Sequence, residues 1–201
     1  MEFDIKGFFK RNKKLLLISL IIFLLFTVAG AVITFMAVGD DYGQITESIN
    51  NLSSSNASTS TENAEYSTFT LYLFSHNLVA DLITIMGGLF FSIPSVLIAI
   101  YNAVSIGGAF GADLTFSSVS ILPHGIIEYA ATVFALAAAF NITKLEVMMI
   151  KNRSFKKVLK ENKILLKDIL IMIIIVVVLV VIAAIIEANV TPLITEWYFG
   201  I

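Results

Sequence analysis

Apolar residues run along this chain in long unbroken blocks, and the polar residues gather between the blocks instead of alternating through them. Residues 15–38 contain no charged side chain, and neither do residues 169–186, which Glu187 closes. Each block is long enough to cross a hydrocarbon core of roughly 30 Å as a helix. The first is too long for the apolar part of a signal peptide, about 7–15 residues, and reads as a retained span. Residues 69–112 are also apolar, but one straight helix of that length would exceed about 60 Å. Gly87-Gly88 and Ser92-Ile93-Pro94 divide them, predicting spans near 71–92 and 94–112, with Pro94 suited to a first helical turn. Pro123 opens a fourth span to about Thr143. The fifth runs from Asp168 to about Asn189, and Pro192 ends it.

The segments between the spans are polar. Residues 39–68 are rich in Ser, Thr and Asn and carry too little apolar surface to offset the entropy of ordering, which predicts a mobile loop. Asn51-Leu-Ser53 and Asn56-Ala-Ser58 make Asn51 and Asn56 glycosylation candidates, although such triplets arise equally by chance in so biased a stretch. Residues 113–122 read as a short polar loop. Residues 144–167 mix basic and apolar positions at helical spacing, predicting an interfacial amphipathic helix. Residues 193–201 form a tail with Trp197 and Tyr198, side chains that favour the membrane interface.

Charge then sets the topology. Of the 13 Lys and Arg residues, five lie at positions 6–14 and eight at 144–167, with none elsewhere. Both clusters are expected on the cytoplasmic side, which requires an even number of spans between them. Dividing 69–112 into two helices satisfies this. The expected class is therefore an all-α polytopic membrane protein of five transmembrane helices. Residues 1–14 are a cytoplasmic basic N-terminus, and the 39–68 loop and the C-terminal tail are external. Composition agrees: the chain is 58% hydrophobic and only 14% charged, against about a quarter charged in soluble domains. The net charge of −2 argues against nucleic-acid binding, and the absence of cysteine excludes disulfides and thiolate metal sites.

Several side chains are out of place in this layout, since an ionisable group inside a span is costly unless paired or hydrated. His76, Asn77 and Asp81 fall in the second span, Asn102 and Asp113 in or at the end of the third, His124 and Glu128 at the start of the fourth, and Glu187 near the end of the fifth. Most are expected at one level, in the outer half of the membrane. His124 and Glu128 are four apart and share a helix face. Such a pair suits three roles: hydrogen bonding between helices, a polar cavity for a solute, proton or lipid, or metal ligation with His76 as a third ligand. Interhelical bonding carries the greatest weight. Gly107-x-x-x-Gly111 and the alanines of 130–139 predict close helix packing, with the fourth span central. No nucleotide loop, zinc-protease helix or serine-hydrolase elbow is present.

The run Leu122-Pro-His124-Gly-Ile-Ile-Glu128, followed by an Ala-rich helix, resembles the signature of the stage II sporulation protein M family. His76-Asn77-Leu78, Asn102 with Gly107, and the acidic residue of Ile186-Glu187-Ala188 before Pro192 fit the same pattern, over about residues 70–192. Residues 69–192 then read as a family-like membrane domain. The resemblance implies a multispan helical protein without known enzymatic activity, acting as an anchor or scaffold for envelope partners. In spore formers those partners degrade peptidoglycan, a role not carried over here.

Three readings follow. The first is a non-enzymatic scaffold or assembly factor in the plasma membrane, homo-oligomeric and in contact with lipid and envelope proteins. The second is a permease-like or channel subunit with an external polar vestibule. The third is an intramembrane hydrolase with a metal cofactor held by His76, His124 and Glu128. No cofactor is required by the first two.

Overall fold

The computed structural model describes residues 4–38 and 62–200. Among these the secondary structure is helical, without a strand. The helices are α1 (Ile5–Val38), α2 (Glu62–Met86), α3 (Ile93–Ala112), α4 (Leu114–Ser120), α5 (Leu122–Asn152), α6 (Phe155–Glu161), α7 (Lys163–Asn189) and α8 (Thr191–Phe199), with a 3-10 turn at Gly87–Phe90 between α2 and α3. Five stretches are long and apolar enough to cross a membrane, one each in α1, α2, α3 and α5 and one running through α7 and α8. The expected five spans are therefore present.

The connections differ from the expectation. Residues 113–122 are not a loop. Asp113 is extended and its Oδ1 accepts from the Phe116 N–H at 2.8 Å, an N-cap that starts α4. The serines that suggested a loop turn inward, Ser117 to Ala109 O and Ser120 to Phe116 O. Residues 144–167 do not hold one interfacial helix either. α5 continues to Asn152, Arg153 turns the chain with φ 48°, and the seven-residue α6 leads directly into α7. The tail is also helical, because Pro192 sits in the first turn of α8 instead of merely ending α7. Asn51 and Asn56 lie outside the described residues.

α5 is the axis of the bundle, packing against α1, α2, α3 and α7. Ala131, Ala135, Ala137, Ala138 and Ala139 are all fully buried, so neighbouring backbones come close on several sides of one helix. α7 answers with a four-residue stripe, Asp168, Met172, Val176, Val180, Ala184 and Ala188, while Leu170, Ile174 and Val178 stay exposed. α1 packs along α3. A Cβ on Gly107 or Gly111 would collide with the carbonyl oxygens of Thr27 and Ala31. The small-residue motif is thus consumed inside the chain.

Two polar clasps hold the end of the bundle that carries the basic residues. In the first, Arg11 donates to Asp168 through both Nε (2.8 Å) and a terminal nitrogen (2.7 Å). Asn12 Nδ2 donates to the same carboxylate at 3.0 Å, and Asn141 Nδ2 donates to Asn12 Oδ1 at 2.9 Å. Asp168, Asn12 and Asn141 are almost completely buried. This contact, between Asn12 and Asp168 156 residues apart, brings the two basic segments to the same end.

In the second clasp the turn between α2 and α3 is bound to α5. Thr143 Oγ1 donates to Gly88 O at 2.8 Å, and Ser92 Oγ donates to Thr143 Oγ1 at 2.6 Å. The Phe91 N–H donates to Glu146 at 3.2 Å. Phe91 and Ser92 both have positive φ, 55° and 57°. Left-handed backbone at two successive non-glycine residues is strained and persists only where the surroundings hold it.

Two expectations follow. Gly107→Leu pushes α1 from α3, and overpacking of this kind costs roughly 1–3 kcal/mol. Gly108→Ala meets only the movable Thr34 hydroxyl at 3.2 Å. Thermal unfolding in detergent should fall clearly for the first and hardly for the second; equal shifts would disprove the packing. The basic-end pair is asymmetric, with the Arg11 side chain 41% exposed and that of Asp168 2%. Arg11→Gln strands a buried carboxylate, whereas Asp168→Asn releases an arginine that reaches water. The arginine change should therefore lower the melting temperature more, by roughly 3 kcal/mol of stability.

Candidate functional site

The site is assembled by helices that run the same way. α2 and α5 both descend toward the basic end, so Asn77 meets Glu128, and Asp81 meets Thr132 one turn further along each helix. Asn77 Nδ2 donates to Glu128 Oε1. Thr132 Oγ1 donates to Asp81 Oδ1 at 3.1 Å. α3 contributes Asn102 and Ser105, and α5 also contributes Tyr129. These side chains and His76 surround a cavity of about 230 Å³, with Val180 of α7 on its lining. Asp81 is only 4% exposed, whereas His76 and Ser105 are exposed. The acids form the floor, and the mouth lies between α2 and α3. Asp81 stands near the midpoint of the span Thr70–Phe90, deeper than the outer level expected from the sequence.

The remaining polar residues are placed elsewhere. His124 shares a helix face with Glu128, yet takes its partners from α7 and α8. Its Nδ1 lies 3.1 Å from Thr191 Oγ1 and its Nε2 lies 3.8 Å from Glu187 Oε1. This group lines a separate, more open pocket with Ser120 and Glu196. Asp113 caps α4 and lines neither pocket. Of the eight intramembrane polar candidates, five therefore line one cavity (His76, Asn77, Asp81, Asn102 and Glu128) and two line the other pocket (His124 and Glu187).

The three proposed metal ligands are divided between these places. Among the described residues no three His, Asp or Glu side chains form a group able to hold a metal ion. What the main cavity offers is a mixed surface. Two carboxylates accept hydrogen bonds and two carboxamides do both; the Tyr129 hydroxyl is sealed from solvent beside Gly125 and has no hydrogen-bond partner. Lipid tails can satisfy none of these groups. The surface complementary to this cavity is one that carries hydrogen-bonding or positive groups.

Sequence reasoning missed Arg11, Asn12, Asn141 and Asp168 as a unit, and it missed Ser105, Tyr129 and Thr132. Asn141 was the available signal, as an amide in the inner part of an otherwise Ala-rich span. Asp168 was the other, as an acid at the start of the apolar run beside Lys163 and Lys167.

Five apolar helices, four of them lining a polar cavity, define a polytopic helical membrane protein. The chain belongs to the stage II sporulation protein M family, whose model matches residues 19–192. That match starts in α1 and includes every side chain of the main cavity. The chain is also similar to the uncharacterized protein MJ0793 of Methanocaldococcus jannaschii, with 28% identity over 131 residues, 62% of this chain and 72% of that protein. No solved structure matches.

The Asn77–Glu128 bond gives a direct test. Glu128→Gln keeps an oxygen for Asn77, while Glu128→Leu leaves a half-buried amide without that acceptor. The leucine variant should lose roughly 1–2 kcal/mol of stability and the glutamine variant much less, as read by thermal unfolding in detergent. Equal losses would show that Asn77 does not depend on that acceptor.

Proposed function

We propose that this protein is a non-enzymatic assembly subunit of the plasma membrane, oriented with its basic end and N-terminus in the cytoplasm and its C-terminus outside. It receives a polar transmembrane segment, from an envelope protein or from a second copy, in the seam between α2 and α3. The observation that supports this reading is the polar cavity, whose exposed edge at His76 and Ser105 lies between two spans. Polar side chains between membrane helices find partners on neighbouring helices, and such bonds select which helices associate. What supports the orientation is that the two basic segments meet at one end through Arg11 and Asp168, since basic segments favour the cytoplasmic side.

The same cavity favours a second reading, an external vestibule for a small cationic or polar solute. Its two carboxylates have no Lys or Arg beside them on the lining, and such a floor attracts positive charge.

One residue separates the two. The chain has no cysteine, so Ser105→Cys places a single thiol at the mouth. In native membranes, a thiol-linked photo-crosslinker at position 105 should capture a protein above the yield from Val178→Cys, which faces outward on α7. The thiol should also be protected from a hydrophilic thiol reagent. Rapid hydrophilic labelling without a protein adduct would replace this reading with the vestibule. Behaviour identical to the Val178→Cys control would remove both.

A further inference from the structure

A second feature lies at the basic end, away from the polar cavity. A groove of about 560 Å³ runs between α1 and α5. Leu17 and Leu20 of α1 form one wall, and Val133 and Phe134 of α5 form the other. Lys10 and Lys13 stand at its end, both exposed. Positions 10, 13, 17 and 20 fall on one face of a helix at 3.6 residues per turn. That face changes from cationic to apolar over about 10 Å, with a rise of 1.5 Å per residue from Lys13 to Leu20.

The rotation of α1 that presents this face is held from the other side. Arg11, on a different face, is bound by Asp168, and the neighbouring Asn12 is buried in the same network. Among the described residues, neither Lys10 nor Lys13 has a carboxylate within ion-pair distance. The groove thus offers two unneutralised ammonium groups beside an apolar slot.

We propose that this groove is a binding site for one anionic phospholipid, with the phosphate between Lys10 and Lys13 and an acyl chain along Leu17, Leu20, Val133 and Phe134. Charge complementarity selects this occupant. A zwitterionic lipid brings a second positive group toward the lysines, and a bare apolar helix leaves both of them without a counter-charge. Basic pockets between spans hold acidic headgroups in this manner. The site does not depend on what occupies the α2–α3 seam.

The test uses the full chain in mild detergent, with bound lipid counted by native mass spectrometry after addition of phosphatidylglycerol or phosphatidylcholine. The wild type should retain one phosphatidylglycerol in preference to phosphatidylcholine. Lys10→Gln with Lys13→Gln should lower that retention roughly tenfold or more, given about 1 kcal/mol per lysine near an anionic headgroup. Leu20→Trp, which fills the slot and keeps both lysines, should lower it as well. Lys156→Gln with Lys157→Gln, exposed on α6 at the same end, should leave it unchanged. An equal loss in the α6 variant would overturn the proposal, because the attraction would then belong to the whole basic end. Full retention in the Lys10/Lys13 variant, or in Leu20→Trp, would overturn it too, as would a dimer that holds the groove closed without lipid. The lysine changes lie on the surface, so matched melting temperatures separate lost binding from lost fold.

Discussion

A single buried carboxylate organises the basic end of this protein. Asp168 lies at the start of an apolar helix with almost no exposure, and an unpaired charge there would be strongly destabilising. It is stable because α1 supplies a two-pronged arginine and an asparagine, and because α5 holds that asparagine through Asn141. These bonds join the first span to the fourth and fifth, which are remote from it in sequence. Planar guanidinium geometry also fixes the rotation of α1, since only one face of that helix can carry Arg11 and Asn12 to the same acid.

Away from this clasp, the packing is set by small side chains. Alanines on several sides of α5 and glycines on α3 let backbones approach, until a methyl group added at Gly107 or Gly111 would collide. Helices in lipid gain little from burying apolar surface, so close contact of this kind supplies much of their association. α1 is drawn to α3, and α7 to α5. α2 and α3 are joined at their turn, where Ser95 Oγ donates to Thr84 O at 2.6 Å and Thr143 holds Gly88. Further from the turn, polar side chains of α2 and α3 face each other across a cavity. The opening is thus a consequence of where the tight contacts are.

Much of this was legible in the sequence because membrane insertion imposes simple rules. The five spans followed from the lengths of the apolar runs and from the parity of two basic clusters. Gly107 and Gly111 announce a close contact, and His76, Asn77, Asp81, Asn102 and Glu128, polar residues within apolar runs, share one cavity. Other features obeyed no local rule. Arg11 and Asp168 looked like ordinary flanking charges, since a charge at the end of a span needs no partner when it reaches water. Whether it does is decided by a helix more than 150 residues away. The Ser-rich residues 113–122 looked like a loop because serine favours turns, but hydroxyls that bond back to a preceding carbonyl are equally at home on a short capped helix.

His124 and Glu128 show where the spacing rule ends. Four residues apart on one helix, they share a face, and from that alone a joint role follows naturally. In the bundle that face is divided between neighbours: α2 takes Glu128, while α7 and α8 take His124. The division separates two kinds of work. His124 fastens the end opposite the basic residues, where Phe199 of α8 meets Phe116 of α4 at 5.8 Å. Glu128, with Asp81 below it, is left to the cavity. A helix as thin-walled as α5 cannot fill that space with side chains of its own. Two acids and two amides therefore lie within the apolar layer, around an opening between α2 and α3.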